Sequence, residues 1–159
     1  KRDDWIRAID QNMLTSIEMI KAVIDSMVMN KFGRIVNITS GSVKSPIPEL
    51  GLSNGARSGL TGFVAGIARE YAQYNVTINN LLPGQFNTAR IENLIESRAK
   101  EEGIAPQKLR ATLERENPSR RLGEIAEFGF ACAWICSAHS GYLVGQNILL
   151  DGGAFNSTH

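Results

Sequence analysis

Hydroxyl and guanidinium side chains cluster between residues 34 and 60, where a strand pattern runs into a helix pattern. The run Ile35–Ile38 is short and almost wholly apolar, and hydroxyl residues follow it directly at Thr39, Ser40 and Ser42. After a loop containing two prolines, Ser53 and Arg57 lie one helical turn apart. In an open α/β sheet, side chains at the carboxyl ends of parallel strands form the ligand site. The segment therefore predicts a site in which hydroxyl groups face a cation.

The composition is that of an ordinary globular domain. The chain has 159 residues, of which 43% are hydrophobic and 21% charged, and its formal net charge is +1. A charge this close to zero gives no electrostatic reason to expect nucleic acid or a membrane surface as a partner. No run approaches the roughly 18 apolar residues of a membrane span, and no secretory signal pattern is present. We therefore expect a cytoplasmic location.

The cysteines and histidines do not form a recognisable metal or nucleophile pattern. Cys132 and Cys136 lie four residues apart on a helical pattern without a partnering histidine, so we predict apolar core residues and no metal site. His139 precedes the last strand pattern, His159 is terminal, and no serine lies in a nucleophile-elbow sequence. A serine hydrolase is therefore disfavoured.

The surrounding elements alternate between helix and strand. Apolar residues at steps of three and four predict helices over about 4–30, 53–74 and 124–136, and a charged helical stretch over 90–116. Continuous apolar runs predict strands at 34–39, 76–82 and 147–150. Ile6, Ile9 and Ile17 are among the residues predicted to face the core from the first helix, as is Ile125 from the last. The order predicts a doubly wound parallel sheet of about three strands.

Two features of the long helices need explanation. Asn12 lies beside the apolar stripe of the first, where spacing alone favours a solvated polar residue. On the second, four glycines fall at steps of four, three and four, at Gly55, Gly59, Gly62 and Gly66. Interior glycines cost about 1 kcal/mol each relative to alanine, so we expect another backbone to approach this stripe closely.

Several segments together resemble the short-chain dehydrogenases/reductases, and most closely their 3-oxoacyl-(acyl carrier protein) reductase-like branch. The matching segments, in the family's order, are 33–40 (Gly-Arg-Ile-Val-Asn-Ile-Thr-Ser), 79–84 (Asn-Asn-Leu-Leu-Pro-Gly) with Thr88, 121–124 (Arg-Leu-Gly-Glu) and 145–153 (Gly-Gln-Asn-Ile-Leu-Leu-Asp-Gly-Gly). The resemblance implies a Rossmann-like fold of which residues 1–159 are the carboxyl-terminal portion. The amino-terminal dinucleotide-binding strands would precede Lys1, which is not a methionine.

The resemblance also assigns the site. The family's catalytic Asn, Ser, Tyr and Lys correspond to Asn12, Ser40, Ser53 and Arg57, so the usual Tyr-x-x-x-Lys pair is here Ser-x-x-x-Arg. This assignment replaces the solvated interpretation of Asn12. The resemblance also implies cofactor contacts for Arg57, Pro83, Gly84 and Thr88. The implied cofactor is NAD or NADP, and the implied substrate is a small carbonyl compound or alcohol.

The resemblance leaves two functions open. One is an active oxidoreductase in which a water near Ser53, or a group on the substrate, replaces the tyrosine. The other is a scaffold that binds a dinucleotide or a partner without turnover. In the resembled family, the helices matching 4–30 and 53–74 pair across a two-fold axis, which implies a homodimer or homotetramer. The segment 90–116 matches the family's mobile substrate lid.

Overall fold

The computed structural model describes residues 1–157 and contains a three-stranded parallel sheet. Strands β1 (Gly33–Ile38), β2 (Val76–Pro83) and β3 (Asn147–Leu150) lie in the order β1-β2-β3. Both connections are crossovers that contain helices, as parallel neighbours require. The predicted α/β class, the parallel sheet and its three strands are confirmed.

Strand β2 is the centre of the core. Its first seven residues are buried, because helices cover one face and loops and a helix cover the other. The pairing places Ile35 opposite Ile78 and Asn37 opposite Asn80, while Asn80 also faces Asn147 of β3. The carboxyl ends of all three strands therefore reach the same edge of the sheet.

The first predicted helix is divided by a π-helical turn. Helix α1 covers Arg2–Ile9, the π-helical segment covers Asp10–Leu14, and helix α2 covers Thr15–Met29. The Thr15 amide donates to the Asp10 carbonyl, five residues back, and the Thr15 hydroxyl donates to the same oxygen at 2.9 Å. The prediction of one uninterrupted helix over 4–30 is wrong at this point.

The π turn also changes which residues are buried. It adds a residue to one turn and so rotates the apolar stripe of α1 relative to that of α2. Ile17, Ile20 and Ile24 are buried as predicted, but Ile6 and Ile9 are exposed and Ala8 is buried instead. The predicted inward position of Ile6 and Ile9 is therefore wrong.

Helix α3 (Gly51–Tyr71) packs against β2, and it also contacts α1, the π-helical segment and α2. Leu60, Val64 and Ala68 form its buried stripe and meet Val76 and Ile78 of β2. A 3₁₀ turn, Ala72–Tyr74, extends it before the chain enters β2. The predicted helix over 53–74 is confirmed within two residues at its start.

The glycine stripe of α3 approaches side chains and not a second backbone. A Cβ at Gly55 would lie 2.9 Å from Cζ3 of Trp5, and one at Gly59 would lie 2.7 Å from Sδ of Met13. Among the other described residues, no atom lies within 4 Å of such a Cβ at Gly62 or Gly66. The first two glycines accommodate α1 and the π-helical segment, and the other two lie on an open face.

The later helices are α4 (Ala89–Glu102), α5 (Pro106–Glu116) and α6 (Ile125–Ile135). Ile135 of α6 is buried, whereas Ile125 is 62% exposed. Cys132 is half-buried and Cys136 is exposed, so the predictions of inward positions for Ile125 and both cysteines are wrong. Ile125 and Cys136 lie at the two ends of α6, where the described chain leaves them exposed, and Cys132 is covered only in part.

The described residues contain neither a membrane-spanning helix nor a metal-binding cluster. No helix within residues 1–157 has both the length and the apolar character needed to cross a membrane. Over the same residues, no group of three or more histidine, cysteine or acidic side chains is placed to hold a metal ion.

Candidate active site

Ser40 lies at the carboxyl end of β1, in extended backbone, and caps the short 3₁₀ turn Gly41–Val43. Its Oγ accepts hydrogen bonds from the Ser42 amide at 3.1 Å and from the Ser42 hydroxyl at 2.9 Å. With its acceptor capacity used in this way, the Ser40 hydroxyl still has its own proton to donate. The turn thus fixes a donor at the sheet edge.

Arg57 joins helix α3 to the end of β1. Its Nη1 donates to the Ile38 carbonyl at 3.0 Å, and its Nε donates to Ser53 Oγ at 3.2 Å. Ser53 and Arg57 face the same way because they are one turn apart on the helix. Ser53 therefore accepts from a cation and, like Ser40, keeps a proton to donate.

The charge of Arg57 is not compensated within the described chain. Both of its hydrogen-bond acceptors are neutral, no acidic side chain of residues 1–157 forms an ion pair with it, and its Nη2 has no partner among those residues. Burial lowers the pKa of Arg57, and the nearby charge of Arg90 lowers it further. An arginine in this position favours an anionic or hydroxyl-rich ligand.

Asn12 reaches the same region from the π-helical segment. Its Nδ2 donates to the Ala8 carbonyl at 3.0 Å, and its Oδ1 has no hydrogen-bond partner in the described part of the chain. It lines an open cavity of about 290 Å³ with Ser53; the other lining residues are Asp4, Arg7, Ala8, Gln11 and Leu52. Asn12 and Ser53, 41 positions apart in the sequence, therefore share one cavity.

Pro83 and Gly84 form the end of β2 beside the Ser40 turn. A Cβ at Gly41 would lie 3.2 Å from the Pro83 carbonyl oxygen, so the two loops are in contact. Gly84 donates its amide to the Leu150 carbonyl at 2.8 Å. A Cβ at Gly84 would lie 2.7 Å from Cα of Asp151, which only glycine avoids.

Thr88 occupies the N-cap of α4. Its Oγ1 accepts from the Ile91 amide at 3.4 Å. Its hydroxyl proton is not used in that contact, and Arg90 follows two residues later. The loop after β2 thus places a hydroxyl and a cation at the start of one helix.

Two residues of this region were not identified as functional from the sequence. Ser42 was noted only as part of a hydroxyl-rich run, although it orients Ser40. Arg90 was missed altogether, and its only sequence signal is its position two residues after Thr88. The contact between Arg57 and the Ile38 carbonyl spans 19 residues, and no local pattern indicates it.

Comparison with known proteins gives the family. A family model described as enoyl-(acyl carrier protein) reductase matches residues 1–155. The chain belongs to the short-chain dehydrogenase/reductase family. The resemblance drawn from the sequence segments is thereby confirmed, together with the Rossmann-like fold.

This chain resembles several named reductases. It is 34% identical to an acetoacetyl-CoA reductase of Cupriavidus necator over 154 residues, which are 96% of this chain and 57% of the relative. It is 30% identical over 159 residues to a 3-oxoacyl-[acyl-carrier-protein] reductase of Haemophilus influenzae, covering 99% of this chain and 60% of that protein. The chain thus spans less than two thirds of the length of these relatives.

Two solved structures have the same fold. The NADPH-dependent reductase YwfH, involved in bacilysin biosynthesis, superposes with a TM-score of 0.91 at 28% identity, over 99% of this chain and 60% of that one. An actinorhodin polyketide ketoreductase crystallised with NADPH, at 21% identity, gives a TM-score of 0.87 over 96% of this chain and 59% of its own, which supports the fold alone.

Proposed function

We propose that the protein containing this chain is an NAD(P)-dependent oxidoreductase that interconverts a ketone and a secondary alcohol, with 3-oxoacyl compounds as its substrate class. The observation that carries the proposal is the Ser53–Arg57 pair, which is hydrogen-bonded to the end of β1 beside the Ser40 turn. Family membership supplies the reaction class, and the names of its reductase relatives supply the substrate class.

The donor set fits a nicotinamide dinucleotide. Arg57 has an uncompensated charge and a free Nη2, and guanidinium groups bind vicinal hydroxyls and phosphates through paired donors. We assign cofactor contacts to Arg57, Pro83, Gly84 and Thr88. When bound, such a cofactor supplies or accepts the hydride of the reaction. NAD and NADP both remain candidates, because no residue of this chain is assigned to the adenosine ribose that distinguishes them.

Each catalytic residue has a distinct role in this proposal. Ser40 donates a hydrogen bond to the substrate oxygen, because Ser42 already supplies its Oγ with donors. Ser53 donates a second one while the Arg57 cation stabilises negative charge that develops on its oxygen. Asn12 accepts a hydrogen bond through Oδ1 from a water that connects the cavity to solvent.

The proton must travel differently from the path in the resembled family. A serine hydroxyl is a much weaker acid than a tyrosine, whose pKa is about 10. Arg57 cannot relay a proton, because a guanidinium does not deprotonate in proteins. We therefore infer that the proton on the substrate oxygen comes through Ser53 from water in the cavity, and that Arg57 acts only through its charge.

The test is turnover by the full-length protein. We expect it to oxidise NADH or NADPH in the presence of β-ketoacyl thioesters or simple ketones, and we expect Arg57→Met to weaken cofactor binding. Cofactor binding without turnover on any substrate of the panel would contradict the catalytic proposal.

A non-catalytic scaffold is the second candidate. It is favoured by one observation: serine and arginine stand where the resembled family has tyrosine and lysine. The double variant Ser53→Tyr with Arg57→Lys separates the two. An inert wild type whose double variant gains activity supports the scaffold, whereas an active wild type whose variant loses activity supports the water-mediated path.

A further inference from the structure

Helices α4 and α5 have a hydrophobic cluster of their own. Its buried members are Ile91, Ile95, Ala99, Leu109 and Leu122. This cluster is separate from the main core, which joins α2, α3 and the sheet. Of these five residues only Leu122 lies outside the α4–α5 unit, residues 89–116, so this unit can shift without opening the main core.

Two short connections attach this unit to the sheet. On the entry side, the Asn87 amide donates to the Gly123 carbonyl at 2.8 Å, and the Gly123 amide donates to the Gln85 carbonyl at 3.0 Å. On the exit side, Asn117 Nδ2 donates to the Asp151 carbonyl at 2.8 Å. The backbone pairing fixes the stem, and side-chain contacts hold the helices above it, among them that of Leu122 with the hydrophobic cluster.

Arg110 provides a side-chain connection across this joint. From α5, its Nη1 bonds to Glu92 in the first turn of α4, and its Nε bonds to Glu114 one turn along α5 at 3.0 Å. Its Nη2 bonds to Asn87 Oδ1, in the stem, at 3.1 Å. The side chain is only 30% exposed. One planar guanidinium thus holds both helices and the stem.

The stem contact leads directly to the proposed site. Asn87 precedes Thr88, which caps α4, and the charge of Arg90 acts on Arg57. A change in the angle of the α4–α5 unit would therefore shift both Thr88 and Arg90.

We propose that Arg110 is a positioning residue that couples the placement of the α4–α5 unit to the placement of Thr88. The expected effect on cofactor affinity rests on the proposed function, whereas the coupling between the α4–α5 unit and Thr88 does not. A rigid fork of donors suits this role, because a lysine at the same position can reach fewer of the three acceptors at once.

An ordinary surface ion pair would not have this effect. Exposed pairs contribute little, and Arg98–Glu102 on α4 is such a pair, with its side chains 49% and 45% exposed. Arg98→Gln is therefore the matched control for Arg110→Gln: it removes a guanidinium from the same unit without touching the stem.

The experiment combines affinity with a double-mutant cycle in the whole protein. Titration with NADH and NADPH is expected to show affinity falling by about threefold to thirtyfold in Arg110→Gln, with partial recovery in Arg110→Lys and no change in Arg98→Gln. Arg110 and Asn87 should be non-additive in cofactor affinity because they are hydrogen-bonded, whereas Arg98 and Asn87, which share no contact, should be additive.

A second measurement needs no cofactor. Amide hydrogen exchange of the unliganded protein should show the Ile91 and Glu92 amides, which bond to Thr88, exchanging about threefold faster or more in Arg110→Gln than in Arg98→Gln. Equal exchange in the two variants would overturn the coupling. Failure of the wild type to bind either nucleotide would instead contradict the proposed function, and exchange would still decide the coupling.

Discussion

At the scale of single residues, two arginines of this chain use their charge differently. Arg57 donates only to neutral oxygens, so its charge is left for a ligand, and burial lowers its pKa. Arg121 instead forms a paired contact with Glu127, with both Nη–Oε distances at 2.6 Å. Its charge is fully engaged in holding the start of α6. The charge of Arg57 is thus unpaired among residues 1–157, whereas that of Arg121 is paired with Glu127.

Glu127 gives a pH-dependent prediction. The Arg121 hydrogen bonds, followed by that of the Glu124 amide, lower its pKa from an ordinary 4.5 to about 2. Because the folded state holds the carboxylate, its stabilising effect is fully present above pH 4.5 and is lost as the pH falls towards about 2. Urea unfolding of wild type and Glu127→Gln should show a difference in free energy of unfolding that is constant above pH 4.5 and shrinks across that window.

The control for this prediction is Glu127→Gln in an Arg121→Gln background, which removes the largest cause of the lowered pKa of Glu127. In that background the difference in free energy of unfolding should change less across the same window. If the Glu127→Gln difference were independent of pH between 2 and 4.5, the pKa shift would be wrong.

At the scale of elements, asparagines tie the three strands together. Asn37, Asn80 and Asn147 lie opposite one another on neighbouring strands. Asn37 Nδ2 donates to Asn80 Oδ1 at 3.2 Å, and Asn80 Nδ2 donates to Asn147 Oδ1 at 2.8 Å. The Asn80 side chain is fully buried, and its Oδ1 and Nδ2 are both hydrogen-bonded. It therefore favours this strand register over a shifted one.

Asn80→Leu tests this row of amides. The substitution keeps the branched shape but leaves the buried Asn37 amide without its partner, which should cost about 1–3 kcal/mol in the free energy of unfolding. Asn93→Leu, at an exposed position of α4, is the control and should lie within about 0.5 kcal/mol of wild type. Denaturant unfolding measures both, and equal stability of the two variants would show that the row contributes nothing.

The sequence predicts elements well where one local pattern decides them. The continuous apolar run of β2 and the three-four spacing of α3 sufficed because burial selects those patterns directly. The π turn was not predictable, because no local pattern in residues 10–14 marks its i to i−5 bond to the Asp10 carbonyl. That single turn moved Ile6 and Ile9 out of the core.

The sequence assigns candidate site residues but not the geometry that relates them. Asn12, Ser40, Ser53 and Arg57 were assigned from a resemblance, and their roles stay predictions. Their arrangement depends on long-range contacts, such as that of Arg57 with the Ile38 carbonyl, which leave no local sequence pattern. The coupling of Arg110 to Asn87 has the same character, because its partners lie on three different segments.

At the scale of the whole molecule, α2 exposes large apolar side chains and α3 exposes glycines. Met19 is 66% exposed and Met29 is 78% exposed on α2, while a Cβ at Gly62 or Gly66 of α3 would meet no other atom of residues 1–157 within 4 Å. Stable protein–protein interfaces bury about 1,200–2,000 Å² and have apolar centres. The homodimer or homotetramer through residues 4–30 and 53–74 stays a prediction, and this surface is where we expect it.

Gly66→Glu tests the assembly. No atom lies within 4 Å of a Cβ at Gly66, and glutamate is a better helix former than glycine, so the single subunit should fold at least as stably. A buried charge at the centre of an interface should nevertheless separate the subunits. Light scattering of the whole protein at micromolar concentration should then show an oligomer for wild type and for the α4 control Asn93→Glu, but a smaller species for Gly66→Glu. A monomeric wild type would exclude the oligomer, whereas an unchanged Gly66→Glu assembly would move the interface away from α3.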